Sequence, residues 1–323
     1  MNAKENALRI LNFNNPERVV EGMPVHELLY TGVNHEFYDG SGGHHLPVGS
    51  KWMDIWGTGW HKIHAGVMGM PRINPLAEIS ALNGYPWPDP DDERICARIY
   101  RLAEGFQGGD VFLAGSHRDT LWEKSYMLVG MENMMVYFLT EPEFAREVLH
   151  HIMDFQLGIA RHYLNLGVEF VQLGDDLGTQ SGLLLSPRII QEFFLPEYTR
   201  LVALYKAHNV LIGFHSCGRI EAVLPVFLEM GIDVLNPIQA SANDLDHLRQ
   251  QTMGKMALQG GVSSAVVMEG PPQRIGAEVH ARLVQLGQQG GYFCAPDQGM
   301  PYPEEHLQAF HQYVEEFGIY PLS

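Results

Sequence analysis

From residue 91 onward, short apolar runs closed by glycine or turn residues alternate with longer stretches whose apolar positions return every three or four residues. The short runs are 111–115, 167–174, 211–215, 231–236, 255–260 and 290–295. They are apolar at successive positions, as suits strands buried on both faces of a parallel sheet. The helical stretches are 92–104, 120–138, 141–166, 186–208, 220–229 and 274–287, with a leading amphipathic helix over 3–13. Ser186-Pro187 supplies an N-cap and a first-turn proline, and Pro196 predicts a kink in the helix that follows. Strands alternating with helices imply right-handed βαβ units.

A weaker strand is expected near Val25, giving seven, with the eighth expected inside 31–90. The predicted fold is therefore an α/β (β/α)8 TIM barrel, one domain over 1–323. A doubly wound open sheet is the rival, but no GxGxxG follows the first strand as a dinucleotide site requires. Residues 31–90 break the pattern: glycine, proline, tryptophan and histidine are dense and no period is visible. This segment reads as an irregular N-terminal lid insertion of loops and short hairpins, ordered because it is rich in aromatics. Its His44, His45, His61 and His64 are expected in surface or packing roles rather than as metal ligands.

Charge narrows the function. A formal net charge of -17 argues against nucleic acid and anionic membrane surfaces, both of which need basic patches. No apolar run reaches membrane-spanning length, and the opening residues predict a helix instead of a signal peptide. Three cysteines in 323 residues do not make a disulfide framework, so the expected location is the cytoplasm.

The candidate chemistry gathers at strand ends, where a parallel barrel builds its active site. His215 and Cys217 lie two apart, so an extended backbone projects both to one side. Cys294 ends the last strand in the same way. One nitrogen and two sulfurs would suit Zn2+ and leave a fourth position open, as in a catalytic site. The spacing alone leaves a second reading open, of buried cysteines and a core histidine. Asp175-Asp176 are the candidate proton carriers or hydrogen-bond acceptors, against a plain Asx turn before Gly178-Thr179. His117, Gln180, Asn236 and Gln239 are the candidate substrate-binding residues, with Arg118, Asp119, Gln259, Ser263, Asp297 and Gln298 at other strand ends.

Four segments carry a family resemblance: Gly174-Asp175-Asp176-Leu177-Gly178-Thr179-Gln180, Phe214-His215-Ser216-Cys217-Gly218, Asp233-Val234-Leu235-Asn236-Pro237-Ile238-Gln239, and Gly290-Gly291-Tyr292 with Ala295-Pro296. On these the chain resembles the uroporphyrinogen decarboxylase superfamily along most of its length, to Pro301-Tyr302-Pro303-Glu304-Glu305. Within it the chain is closer to the zinc-dependent corrinoid methyltransferases, whose His-x-Cys and distant Cys match His215, Cys217 and Cys294. The decarboxylase's amino-terminal Arg-Gln-Ala-Gly-Arg motif is missing; 19–32 has only Arg18 beside it.

The resemblance implies a zinc-dependent methyltransferase acting between a small molecule (a thiol, methyl ether or methylamine) and the cobalt of a corrinoid. Without an Asp-x-His-x-x-Gly motif, the corrinoid (cobalamin) is expected on a separate partner protein. The direction of transfer is open, as is formation of a homo-oligomer. Two other readings stand beside it: a metal-free decarboxylase using Asp175 or Asp176, and a non-catalytic barrel that binds a ligand or a corrinoid protein.

Overall fold

The structure, a computed structural model, describes residues 1–43, 45–65 and 68–323; the expectation for His44 lies outside them. Seven parallel strands are assigned in the main sheet among the described residues. They are β1 (Val25–Leu28), β5 (Phe112–His117), β6 (Phe170–Gly174), β7 (Leu211–His215), β8 (Val234–Ile238), β9 (Ala257–Val262) and β10 (Tyr292–Pro296). Neighbours in the sheet follow chain order throughout, from β1 to β10. A doubly wound sheet would reverse its order at a switch point, so the curled barrel arrangement stands.

The eighth strand is not where the sequence placed it. Residues 51–73 form a separate antiparallel sheet of β2 (Lys51–Met53), β3 (Gly59–His61) and β4 (Met70–Ile73). At the open edge of the barrel, the Cys294 N–H instead donates to the Val20 carbonyl at 2.9 Å, so extended chain ahead of β1 lies along β10.

Alternation along the strands gives the barrel two ends of different character. At the amino-terminal end, Phe112, Ala114, Phe170, Val234, Ala257 and Phe293 point inward and meet Ala7 and Ile10. The helix Ala3–Leu11, capped by Asn2, thus plugs this end with its apolar stripe. The outward-facing residues form a second, larger cluster with the helices, and Ile55, Trp56 and Leu76 of the lid join it. An indole stack anchors the lid as well. Trp52 lies 6.1 Å from Trp60, and Trp60 lies 4.1 Å from the His35 ring. Asp54 holds the turn between β2 and β3, accepting from the Trp56 and Thr58 N–H groups and from Trp60 Nε1. The described residues of the 31–90 segment thus form a cover packed on the barrel rim.

Two helices depart from a straight reading for local reasons. The stretch 120–138 breaks into Trp122–Val129 and Met131–Thr140 at Gly130, whose φ is +94°. The 186–208 stretch starts on Ser186, passes through a π-helical turn at Ile190–Phe194 and continues as Leu195–Ala207. Pro196 has no N–H for the Glu192 carbonyl four residues back, and Arg146 Nη1 donates to that carbonyl at 3.1 Å. No described helix is long and apolar enough to cross a membrane.

Candidate active site

The carboxyl ends of β1, β5, β6 and β7 open on a cavity of about 540 Å³. Glu27, Ser116, Arg118, Gln172 and His215 form its floor and wall, and Trp60, Met68, Met70 and Pro71 of the lid cover it.

Asp176 and His215 of this lining converge with Cys217, the potential ligand atoms of the three all within 4.8 Å of one another. Cys217 Sγ stands 3.4 Å from His215 Nε2, and Asp176 Oδ1 stands 3.5 Å from the same nitrogen. A tetrahedral zinc with bonds of about 2.0–2.3 Å has ligand–ligand edges of about 3.3–3.7 Å, so these separations fit one divalent ion.

The backbone fixes the arrangement. The Cys217 N–H donates to Asp176 Oδ1 at 2.9 Å, the Gly218 N–H to Gln239 Oε1 at 2.6 Å, and the Arg219 N–H to the Thr179 carbonyl at 2.7 Å. The loops after β6 and β7 touch backbone to backbone. A Cβ on Gly218, where φ is +84°, would lie 2.4 Å from the Gly178 carbonyl carbon, so only glycine lets them close.

Asp176 sets the electrostatics of the cluster. Burial works against ionisation of Asp176, yet His215 and the Cys217 N–H hold its carboxyl below the ordinary value. Burial, then the Asp176 carboxylate, push the Cys217 thiol up to about 12. Without a metal Cys217 is therefore a neutral thiol; a divalent ion at this point would deprotonate it outright.

Cys294 does not join the cluster. Phe293 occupies the inward position on β10, so Cys294 turns outward into the helix-facing core and is fully buried there. Its neighbour Tyr292 donates to the Gly260 carbonyl at 2.7 Å on the adjacent strand. The expected His215–Cys217–Cys294 triad is thus not assembled, and the residue that stands with His215 and Cys217 is Asp176.

His117 is displaced for the same reason. Ser116 and Arg118 face the cavity, and His117 between them points into the helix layer. There its Nδ1 pairs with Gln156 Oε1 at 2.7 Å, and burial pushes its pKa down to about 4. It is a neutral core histidine and does not reach the cavity.

The two aspartates part company as well. Asp175 is fully buried and turned from the cavity, accepting from the Leu121 and Glu123 N–H groups at 2.8 Å each and from the Tyr198 hydroxyl. It caps the helix Trp122–Val129. Burial, not its neighbour, pushes its carboxyl up to about 7.

Asn236 sits in a polar ladder across the barrel, accepting from Gln172 Nε2 at 3.4 Å and donating to Gln259 Oε1 at 3.5 Å. Gln239 is buried and holds the loop after β7, while Gln180 is exposed on the rim and donates to it at 3.4 Å. None of Gln180, Asn236 and Gln239 is among the cavity-lining residues. The lid histidines His45, His61 and His64 belong to no metal-type cluster among the described residues.

Sequence reasoning missed Glu123, which lines the cavity, accepts from the Tyr126 hydroxyl at 3.2 Å and accepts from the Asp176 N–H at 3.3 Å. Burial first, then Asp119, Asp175 and Asp176, push its carboxyl up to about 9. In metal-free protein the folded state therefore keeps a proton that the unfolded chain releases above its ordinary pKa near 4.5. Stability falls as pH rises from about 4.5 to about 9. Glu123→Gln stays neutral, and is expected to exceed the parent by about 1–3 kcal/mol at pH 9 with no advantage at pH 4.5. Denaturant unfolding of chelated protein across that range checks the sign.

Comparison with known proteins gives the family and the fold. The family model described as uroporphyrinogen decarboxylase (URO-D) matches residues 63–317. A methylated-thiol–coenzyme M methyltransferase of Methanosarcina mazei is 25% identical over 193 residues, 59% of this chain and 50% of that protein. A uroporphyrinogen decarboxylase of Hydrogenovibrio crunogenus is 31% identical over 183 residues, 53% of this chain and 49% of that protein. The chain thus spans about half the length of the curated relatives it matches. Among solved structures, a methyltransferase from Methanosarcina mazei superposes with a TM-score of 0.72 at 17% identity, covering 98% of this chain and 99% of that one. That likeness is one of fold.

Proposed function

The chain belongs to the uroporphyrinogen decarboxylase (URO-D) family, and from that premise we propose that it is a zinc-dependent methyltransferase. It moves a methyl group between a small-molecule heteroatom and the cobalt of a corrinoid on a separate protein. The observation that carries this reading is the convergence of Asp176, His215 and Cys217, the first two of which line the cavity.

Asp176 and Cys217 as anionic donors and His215 as a neutral one would hold a zinc ion and balance its charge, with three protein ligands leaving room for a substrate atom. The ion, when bound, supplies Lewis acidity to a substrate oxygen, nitrogen or sulfur. The remaining work falls to the chain's own groups. Gln172, the one member of the Gln172–Asn236–Gln259 ladder that lines the cavity, offers its floor a side-chain amide. The lid's Trp60, Met68 and Met70 exclude water from one side. Glu123 lines the cavity beside Asp176, where it is placed to exchange a proton with a departing heteroatom.

The cavity argues against porphyrinogen decarboxylation. Its lining carries Glu27, Asp119, Glu123 and Asp176, with Arg118 and His215 as the cationic or titratable nitrogens among the described lining residues. A polycarboxylate would meet a surplus of acids there. The test is metal analysis of the purified protein, together with methyl transfer to or from free cob(I)alamin using thiols, methoxylated compounds and methylamines. About one zinc per chain and turnover with one of these donors or acceptors supports the reading. Carbon dioxide release from a carboxylated porphyrinogen by zinc-free protein, with no methyl transfer, overturns it.

A further inference from the structure

A fourth side chain reaches the cluster from the opposite strand end. Gln298, two residues past β10 and half-buried, brings its Nε2 to 3.4 Å from Cys217 Sγ. Its loop is pinned on both sides. The Asp297 N–H donates to the Val262 carbonyl at 2.9 Å, Asp297 Oδ1 accepts from the Ser264 N–H at 3.0 Å, and the Tyr302 hydroxyl donates to the Gln298 carbonyl at 2.5 Å. The amide is therefore held over the site by a fixed backbone and has only its own side-chain torsions to spend. A half-turn about the last of them exchanges Nε2 for Oε1. What is a hydrogen-bond donor to a thiol then becomes an oxygen donor to a cation.

We propose that Gln298 is the fourth, displaceable ligand of the divalent ion held by Asp176, His215 and Cys217, with its amide oxygen filling the position a substrate heteroatom takes. This rests on the zinc reading above and adds to it the resting state of the site.

The charge count explains the residue type. Asp176 and Cys217 already neutralise a dication, so a third anion would leave the centre negative and less able to polarise a substrate. A neutral amide oxygen is a weak ligand. It closes the coordination sphere against water when the cavity is empty and yields to a better donor. With it, the resting donor set is one sulfur, one nitrogen and two oxygens.

The experiment uses chelator-stripped full-length protein reloaded with Co2+, whose visible bands report coordination and whose near-ultraviolet sulfur band reports Cys217. Gln298→Ala is expected to keep the sulfur band, shift the visible bands as water replaces the amide, and weaken Zn2+ binding about tenfold. Gln298→Glu is expected to bind Zn2+ at least as tightly and to slow methyl transfer, because a charged ligand is not readily displaced. Visible bands and Zn2+ affinity that ignore both substitutions would overturn the proposal and leave Gln298 as a hydrogen-bond donor to the sulfur. A parent protein with no sulfur band at all would remove the metal centre and this ligand together. Bands that respond to Gln298 in a protein without methyl transfer would keep the ligand and discard the methyl-transfer reading.

Discussion

Cys217→Ser is expected to release the proposed zinc and to abolish methyl transfer, with metal affinity down by more than about a hundredfold. The expectation follows from what Cys217 contributes. Its sulfur is the single thiolate of the set, since Cys294 faces the helices and cannot substitute for it. The hydroxyl of serine does not ionise in this environment, where burial and Asp176 already push a thiol up to about 12. The variant would thus offer the cation one anion in place of two. Cys294→Ser is the informative partner. It buries a hydroxyl in an apolar layer at a cost of about 1–3 kcal/mol and leaves the bound zinc in place. Metal analysis after gel filtration, beside thermal melts, separates the two: one variant loses the ion and stays folded, the other keeps the ion and melts at a lower temperature.

Asp175→Ala produces the largest loss of stability expected from the strand ends. Three donors converge on this carboxylate: the N–H groups of Leu121 and Glu123 and the Tyr198 hydroxyl, all deep in the core. Truncation strands them without water, at about 3–5 kcal/mol in total, a fall in melting temperature of about 4–7 °C for a chain of this size. Asp175→Asn keeps one acceptor and is expected to lose less than half as much. Methyl transfer per folded molecule stays within a few-fold of the parent in Asp175→Asn, because the group supports a helix and does not touch the cavity. A rate loss of a hundredfold in a well-folded Asp175→Asn would return this residue to the chemistry.

How far the sequence carried the site depended on whether a pattern survives burial. His215 and Cys217 share a side because residues two apart on a strand always do, and that needs no knowledge of which side is inward. Cys294 and His117 needed that knowledge. On strands apolar at every position the period-two signal vanishes, so nothing in 290–295 told Phe293 from Cys294, and a one-residue error reverses every side chain. The kink near Pro196 was legible because proline removes a donor wherever it stands. Glu123 was not, because one glutamate in the first turn of a helix has the ordinary look of a residue favoured there. Its role arises from Asp176 and Tyr126, which only the fold brings beside it. The closing edge near Val20 was missed because it is a backbone contact from irregular chain, with no side-chain pattern of its own.

Zinc-edge X-ray absorption on protein purified without added metal tests the central claim most directly, because it counts sulfur atoms around the ion. The account predicts one zinc per chain with one sulfur at about 2.3 Å and nitrogen or oxygen for the rest. Two sulfurs would bring Cys294 back into the site, and a protein without zinc would leave the Asp176–His215–Cys217 cluster with no metal chemistry to perform.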